Sequence, residues 1–201
     1  LWGATGVADA QALRLAGDAP PVTLATGHGV ERIESLGTMA LLVGRDADAL
    51  VFSSVRLGRD HRAQLVDRHA LPGARSAESR THGFFYRPLD ADQGLLGLPV
   101  VDARADPDRP VPAWPAAARR VGQASVVFLG QRDGRFQPLG ALQASADAVV
   151  ADGCKASCVD WYGNARPIFI GERVFALLGY ELVEGRLDRS VWRSAITERR
   201  R

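Results

Sequence analysis

Lysine, cysteine and methionine are scarce in this sequence of 201 residues, and neither sign of charge dominates it. Of the 25 basic residues only Lys155 is a lysine, and the net charge is +2. Because binding to nucleic acid depends on a strong positive potential, this balance gives no support to a nucleic-acid partner. Long apolar runs are also missing. None approaches the roughly 18 residues that span a bilayer, so membrane insertion by this segment is not expected.

Strong catalytic motifs are absent as well. Ser53, Ser54 and Ser125 lack the G-x-S-x-G context of a serine hydrolase. The Gly-His-Gly of residues 27–29 lacks the helix and the lysine of a phosphate-binding loop. Helical periodicity is scarce too, and residues 8–16 form the best, short, helical candidate. The sequence therefore indicates an architecture more clearly than an activity.

The only two cysteines are Cys154 and Cys158. A lone pair so close in sequence favours a local disulfide, and with it an oxidising compartment. Closing so short a loop would stabilise the protein by at most about 2 kcal/mol, so the disulfide would fix a loop and not the fold. Free thiols and a metal site are the alternatives, although a zinc site would need two further ligands.

Short strands fill most of the chain, because runs that are apolar or alternate in polarity are bounded by Gly, Asp and Pro. One early strand is predicted at residues 22–25. Three sets of four strands are predicted at residues 30–36, 39–43, 49–57 and 63–71, then 83–89, 94–101, 124–130 and 135–142, then 167–170, 173–178, 180–184 and 190–197. Asp133 and Gly134 are typical of a tight hairpin turn, in which Gly tolerates positive φ.

The three sets resemble one another. Residues 35–44 and 169–179 each lead from a strand through a turn into an apolar strand that ends at Gly, and residues 85–101 form a looser middle copy. Four strands per unit of about 50–55 residues is the spacing of propeller blades, in which neighbours cover both faces of an apolar central strand. The predicted fold is therefore all-β, a partial β-propeller of about three four-stranded antiparallel blades at residues 30–71, 82–142 and 167–197, with inserted surface loops at 102–122 and 145–166.

Three blades do not close a ring, because propellers have about four to eight. The chain begins at Leu1, without an initiator methionine and without a charged-then-apolar leader. We therefore expect a fragment or a processed product, with further blades of the same chain upstream. Oligomerisation is the alternative way to cover the terminal blades. Because a fragment can lack its leader, the absence of one here is not evidence for a cytoplasmic location.

Four phrases carry a resemblance to a known family: VERIESLG, LVFSSVRLG, the SRTHGFFYRP and GLLGLPV block, and CVDWYGNARPIFIGERVFALLGYELVEG. They span residues 30–185 and resemble the C-terminal part of a bacterial family of secreted β-propeller-domain proteins. The resemblance implies export, a location in the cell envelope or outside the cell, and blades upstream of Leu1. That family has no settled biochemical activity, so the resemblance implies no catalytic residue.

A first group of chemically capable side chains lies at a predicted strand entrance, where His82 is close in sequence to Tyr86 and Arg80. These residues could supply an acid–base group together with a clamp for an anion. The alternative is that His82 makes structural hydrogen bonds between blades.

Two Asp-x-Asp pairs, Asp46 with Asp48 and Asp90 with Asp92, look like parts of a calcium loop, because hard cations bind several carboxylates on a tight turn. Neither pair continues into the full ligand spacing with its closing glutamate. Aspartate is also favoured at hairpin turns for turn chemistry alone. We therefore expect turns at both places and no cofactor, with calcium as a weak alternative.

A second group lies beside the cysteines, in the segment of residues 160–166. It combines an acid, two large aromatic rings, an amide and a guanidinium, namely Asp160, Trp161, Tyr162, Asn164 and Arg166. Exposed rings stack on a ligand while polar edges fix its orientation, so this segment predicts a surface that binds sugar or peptide. The alternative is that the rings fill a gap between blades while the acid and the guanidinium pair.

These observations favour a non-catalytic binding or scaffold module of the bacterial cell envelope or extracellular space, which recognises a protein, peptide or glycan. A propeller-type hydrolase or lyase that uses His82 and Tyr86 with nearby carboxylates is the alternative. A third possibility is a purely structural closing segment. Convergence of His82, Tyr86 and residues 160–166 at one face would favour the enzyme, whereas a buried His82 with satisfied nitrogens would exclude it.

Overall fold

The computed structural model describes residues 2–3, 8–13, 20–36, 39–58, 62–76, 84–102, 125–143, 165–178, 181–187 and 196–199, and the regular elements among them are all β-strands. The described strands are β1 (Trp2–Gly3), β2 (Asp9–Ala12), β3 (Val22–Ala25), β4 (Gly29–Leu36), β5 (Met39–Asp46), β6 (Ala49–Leu57), β7 (Ala63–Pro72), β8 (Ala74–Ser76), β9 (Phe85–Pro88), β10 (Gln93–Asp102), β11 (Ser125–Arg132), β12 (Arg135–Gln143), β13 (Arg166–Ile170), β14 (Arg173–Leu178), β15 (Glu181–Leu187) and β16 (Ile196–Arg199). Within these ranges there is no helix with the length and apolar character needed to cross a membrane.

The strands form four sheets, and the predicted all-β class is confirmed. The first sheet has the order β1-β2-β3, the second β4-β5-β6-β7 and the fourth β13-β14-β15-β16. The third has the order β12-β11-β10-β8, and β9 also pairs with β10. In the described part of the chain none of these sheets closes on itself, and a propeller is not shown.

Most of the predicted strands overlap observed ones, and β3, β6 and β14 have the predicted bounds. Of the last predicted strand, residues 190–197, only 196–197 are described, and they begin β16. The helical prediction for residues 8–16 is wrong, because Asp9–Ala12 forms β2 and pairs with strands on both sides. Ala10 is fully buried in that pairing while Asp9 and Gln11 are exposed, which is the alternation of a half-buried strand. The short strand Ala74–Ser76 was not predicted, and it pairs with the end of β10.

Contacts divide the chain into two compact units. The first unit comprises Leu1–Pro72, Pro88–Gly94 and Gln131–Phe136, and the second comprises Gly73–Arg87, Leu95–Gly130 and Gln137–Arg201. The first two sheets therefore lie in the first unit, together with the two hairpin ends of the third sheet. The rest of the third sheet and the fourth sheet lie in the second unit.

In the first unit the second sheet is covered on both faces. One face packs against the first sheet in an apolar cluster, whose buried members are Ala10, Leu24, Val30, Ala40, Leu42, Val55 and Ala63. The other face receives the end of the β11–β12 hairpin, where Phe136 packs on Phe52 with ring centroids 6.3 Å apart. The Phe136 amide donates to the Asp67 carboxylate at 2.8 Å, and the Ser54 hydroxyl donates to the Gly134 carbonyl. Double coverage explains the six consecutive buried residues in β5 and in β6.

The hairpin end that packs on the second sheet has the predicted turn. Asp133 has φ 51° and Gly134 has φ 83°, which are the two positive values of a type I′ connection. The Arg56 guanidinium donates to the Asp133 carbonyl, and the Gln131 side chain donates to the Asp92 carbonyl, each at 3.3 Å. The first bond holds the turn through its own backbone carbonyl, and the second ties the strand before the turn to the Asp92 backbone.

In the second unit the fourth sheet packs by one face against the third sheet. Phe169 of β13 meets Phe128 of β11 edge to face, with ring centroids 5.9 Å apart. Gly97 of β10 lies directly against Pro167, where a β-carbon would come within 2.5 Å of the proline ring. The opposite face of the fourth sheet is partly exposed.

Candidate functional site

A serine and a histidine form a hydrogen-bonded pair in the first unit. His28 precedes β4 and Ser53 lies in the middle of β6, and Nε2 of His28 is 2.8 Å from Oγ of Ser53. The other ring nitrogen, Nδ1, is 3.0 Å from the Gly29 carbonyl oxygen. Because a carbonyl can only accept, Nδ1 carries the proton and Nε2 accepts the serine hydroxyl proton. This is the polarity of a nucleophile with its general base.

Because both residues of this pair are buried, the pair has a structural role. The exposed fraction is 2% for His28 and 0% for Ser53, so no substrate reaches the hydroxyl. Desolvation lowers the pKa of His28 against the opposing effect of the Gly29 hydrogen bond, and the positive charge of Arg68 lowers it further. The neutral ring thus has both nitrogens satisfied inside the sheet, where an unpaired polar group would be destabilising.

A second histidine in this sheet lacks a partner at one nitrogen. His69 of β7 lies opposite Phe52 of β6, and its Nε2 is buried without a hydrogen bond. Desolvation lowers the pKa of His69, whereas the negative charge of Asp67 raises it. The ring is therefore held neutral with one polar atom unsatisfied.

Replacing His69 with phenylalanine is expected to stabilise the protein by about 1 kcal/mol, because a buried unsatisfied nitrogen is removed and an aromatic cross-strand pair with Phe52 is formed. Urea unfolding followed by circular dichroism measures the difference. His69→Ala is the matched variant, since it removes the same nitrogen but also the packing, and it should destabilise. A loss of stability in His69→Phe would show that the nitrogen has a partner.

The partly exposed face of the fourth sheet is the main candidate for binding. The strand register places residues of β13, β14 and β15 in three rows of three on this outer face, namely Arg166, Leu177 and Leu182, then Ile168, Phe175 and Glu184, then Ile170, Arg173 and Arg186. Ile170 and Leu182 are each 58% exposed, although they are large and apolar. We call these nine residues the outer-face grid.

An ion pair fixes the positions of the side chains at the centre of the grid. The Arg173 guanidinium donates to both carboxylate oxygens of Glu184, at 2.8 and 2.9 Å, and it lies 4.8 Å from the centroid of the Phe175 ring. The Glu184 hydrogen bond raises the pKa of Arg173. Phe175, which lies between Ile168 and Glu184 in the register, is only 7% exposed. An anchored guanidinium over a ring gives this surface a fixed shape.

Few of the residues predicted to bind a ligand fall within the described part of the chain. His82, Asp160, Trp161, Tyr162 and Asn164 lie outside it. Cys154 and Cys158 also lie outside it, and a disulfide between them is not shown. Their predicted roles stay untested.

The two described members of the predicted set lie on strands. Tyr86 is half-buried in β9 and has an interaction partner. Arg166 is the first residue of β13 and occupies a corner of the outer-face grid, with Nε buried and without a hydrogen-bond partner. Arg166 is therefore the predicted residue that belongs to the candidate surface.

The Asp-x-Asp pairs have turn and ion-pair roles. The Asp92 amide donates to the Asp90 carboxylate at 2.9 Å, and the Leu89 amide donates to the Gln93 carbonyl at 2.9 Å, which is aspartate turn chemistry. Asp46 accepts a hydrogen bond from Arg68. Among the described residues there is no group of three or more side chains with the composition of a metal site.

Sequence reasoning missed the outer-face grid and the buried Ser–His pair. The alternation in β13 and β15 was visible, because Arg166, Ile168 and Ile170 share one face by strand periodicity. Their neighbours across the sheet follow only from the register. Comparisons with protein-family models, with curated proteins and with solved structures find no match to this chain. Its function must therefore be inferred from its own residues.

Proposed function

We propose that this chain is a non-catalytic binding or scaffold module, and that the outer-face grid is its contact surface. The observation that carries the proposal is the exposure of Ile170 and Leu182, each 58%, on a face that also presents Arg166, Arg173 and Arg186. Exposed apolar side chains among charged ones are typical of surfaces that contact a partner. Hydrogen bonding between three adjacent strands holds the side chains in fixed positions.

The proposal extends to architecture and location. In it the sheets are blades of a partial β-propeller in the bacterial cell envelope or extracellular space. Two features support the blade interpretation: the first sheet packs face to face on the second, and the third packs on the fourth. The similar stretches at residues 35–44 and 169–179 also lead into the second strand of a four-stranded sheet in each case. The location is supported by the sequence resemblance alone.

The alternative hydrolase or lyase would use His82 and Tyr86. No described contact favours it over binding, and the buried Ser53–His28 pair does not supply its nucleophile because no substrate reaches it. An assay of whether a compound is only bound or is chemically converted distinguishes the binding module from the hydrolase or lyase.

Binding of the labelled protein to arrays of peptides and glycans tests the proposal. We expect selective retention of one class, and we expect the double variant Ile170→Ser/Leu182→Ser to lose about tenfold in affinity, which corresponds to about 1.4 kcal/mol. Leu57→Ser is the matched control, since Leu57 is an exposed leucine on another sheet. Retention that is unchanged in the double variant would contradict the proposal, as would conversion of a peptide, ester or glycoside that is abolished by His82→Ala.

A further inference from the structure

We propose that the outer-face grid binds a short acidic peptide segment in an extended conformation. This inference rests on the proposed binding function and names the chemistry of the partner. Three properties of the grid support it: its charge, the spacing of its arginines, and its area together with the coverage of its central ring.

The grid carries a positive charge that its own carboxylate does not neutralise. It has three arginines and one glutamate, so its net charge is +2. Glu184 is engaged by Arg173 through two hydrogen bonds. Arg166 and Arg186 form no salt bridge with a described residue. A guanidinium binds a carboxylate through two parallel hydrogen bonds, so acidic side chains are the complementary groups.

The spacing of the two available arginines fits an extended peptide. Arg166 and Arg186 occupy opposite corners of the grid, two strands and four residues apart, with Phe175 between them. Strand spacings of about 4.8 Å and rises of about 3.3 Å per residue place these corners about 16 Å apart. An extended chain covers the same distance in about five residues. Side chains on one face of an extended chain are an even number of positions apart. Two acidic residues six positions apart, about 20 Å, with apolar side chains between them on the same face, would therefore reach both corners through the long arginine side chains.

The area of the grid argues against a second copy of this chain as the partner. Even with β16, which pairs with β15 beside Glu184 and Arg186, four strands of five residues present roughly 400 Å². A stable protein dimer buries about 800 Å² on each partner. A segment of about seven residues is matched to the smaller area.

The covered ring argues against a glycan. Sugar rings are bound by stacking on exposed aromatic faces. The aromatic side chain of the grid is Phe175, which is 7% exposed and has the Arg173 guanidinium over its ring. The exposed apolar groups are aliphatic, namely Ile170 and Leu182, and these suit the aliphatic side chains of a peptide.

Fluorescence polarisation with a defined probe tests the inference. The probe is a fluorescein-labelled heptapeptide with glutamate at each end and alternating serine and leucine between, so that both glutamates and both leucines share one face of the extended chain. We expect saturable binding that weakens about tenfold in Arg186→Glu and in Leu182→Ser, and that weakens at high salt. Arg45→Glu and Leu57→Ser are the matched controls, because both residues are exposed on the second sheet, and they should bind as the unchanged protein does.

Two altered peptides separate the contributions of charge and apolar contact. A heptapeptide with lysine at each end should not bind, and one with serine in place of leucine should bind about tenfold more weakly. Equal binding of the acidic and basic peptides, or undiminished binding by Arg186→Glu, would overturn the inference. Glycan binding that depends on Leu182, without peptide binding, would overturn the inference and leave the proposed function standing. A dimer that dissociates in Leu182→Ser, measured by light scattering, would also overturn it.

Discussion

Replacing Gly44 with alanine is expected to destabilise the first unit by at least about 3 kcal/mol. Gly44 of β5 lies opposite Val30 of β4, and a β-carbon there would be 1.7 Å from the Gly29 carbonyl oxygen and 3.1 Å from Nδ1 of His28. The obstacle is backbone, which no side-chain rotation can move. The same carbonyl accepts the His28 hydrogen bond, so the substitution would also disrupt the buried Ser–His pair.

Gly27→Ala is the matched control for this steric effect. Gly27 lies in the same unit with φ +68°, and the nearest atom to an added β-carbon is Arg68 Nε at 3.9 Å. Its substitution should therefore cost only the left-handed backbone strain, about 1 kcal/mol. Urea unfolding of both variants gives the two free energies. Equal stability of Gly44→Ala and Gly27→Ala would show that β4 and β5 do not approach so closely at this point.

The strands were predictable because each has a local signature. Ala49–Leu57 and Arg173–Leu178 were predicted with the observed bounds, since turn residues punctuate them. Asp133 and Gly134 specify their turn by residue type alone, because few residues tolerate positive φ. The apolar run at the start of β5 predicted coverage of both faces, and the structure confirms it.

Features that depend on several elements at once were not predictable. Asp9–Ala12 reads as a weak helix because Ala and Gln favour helices, but pairing on both sides makes it a strand. The contact between His28 and Ser53 depends on the register of three strands across 25 positions of the chain. No local sequence pattern predicts this contact.

The candidate surface was predictable in part. Arg166 was identified through its neighbours in sequence, yet its place on the grid follows from its pairing with Leu177. The exposure of Leu182 was not predictable, because an alternating strand shows two faces without showing which one is covered. The sequence predicted binding by residues 160–166, whereas the described surface is formed by the strands β13, β14 and β15.

Acidification below about pH 6.5 is expected to destabilise the folded protein, and both histidines of the second sheet contribute. Burial lowers the pKa of His28 and of His69 below the usual value, which the unfolded chain retains. Above about pH 6.5 both rings are neutral in the folded and in the unfolded protein, so their protonation does not lower the free energy of unfolding. Below it the unfolded chain binds protons that the folded protein does not, so stability decreases by up to about 1.4 kcal/mol per pH unit for each ring.

Charged neighbours modify the effect of burial at both rings. Arg68 adds to the lowering at His28 and Asp46 opposes it, whereas Asp67 opposes the lowering at His69. Urea midpoints measured between about pH 7.5 and pH 5 isolate the histidines, because ordinary carboxylates titrate below this window.

His69→Phe should reduce the slope of stability against pH, and adding His28→Gln should remove most of what is left, although the double variant is less stable at neutral pH than His69→Phe alone. A slope that persists unchanged in the double variant would mean that these rings are not the groups that couple folding to protons. Loss of the slope would establish that the buried Ser53–His28 pair, whose polarity is that of a catalytic dyad, acts in this protein as a neutral part of the core.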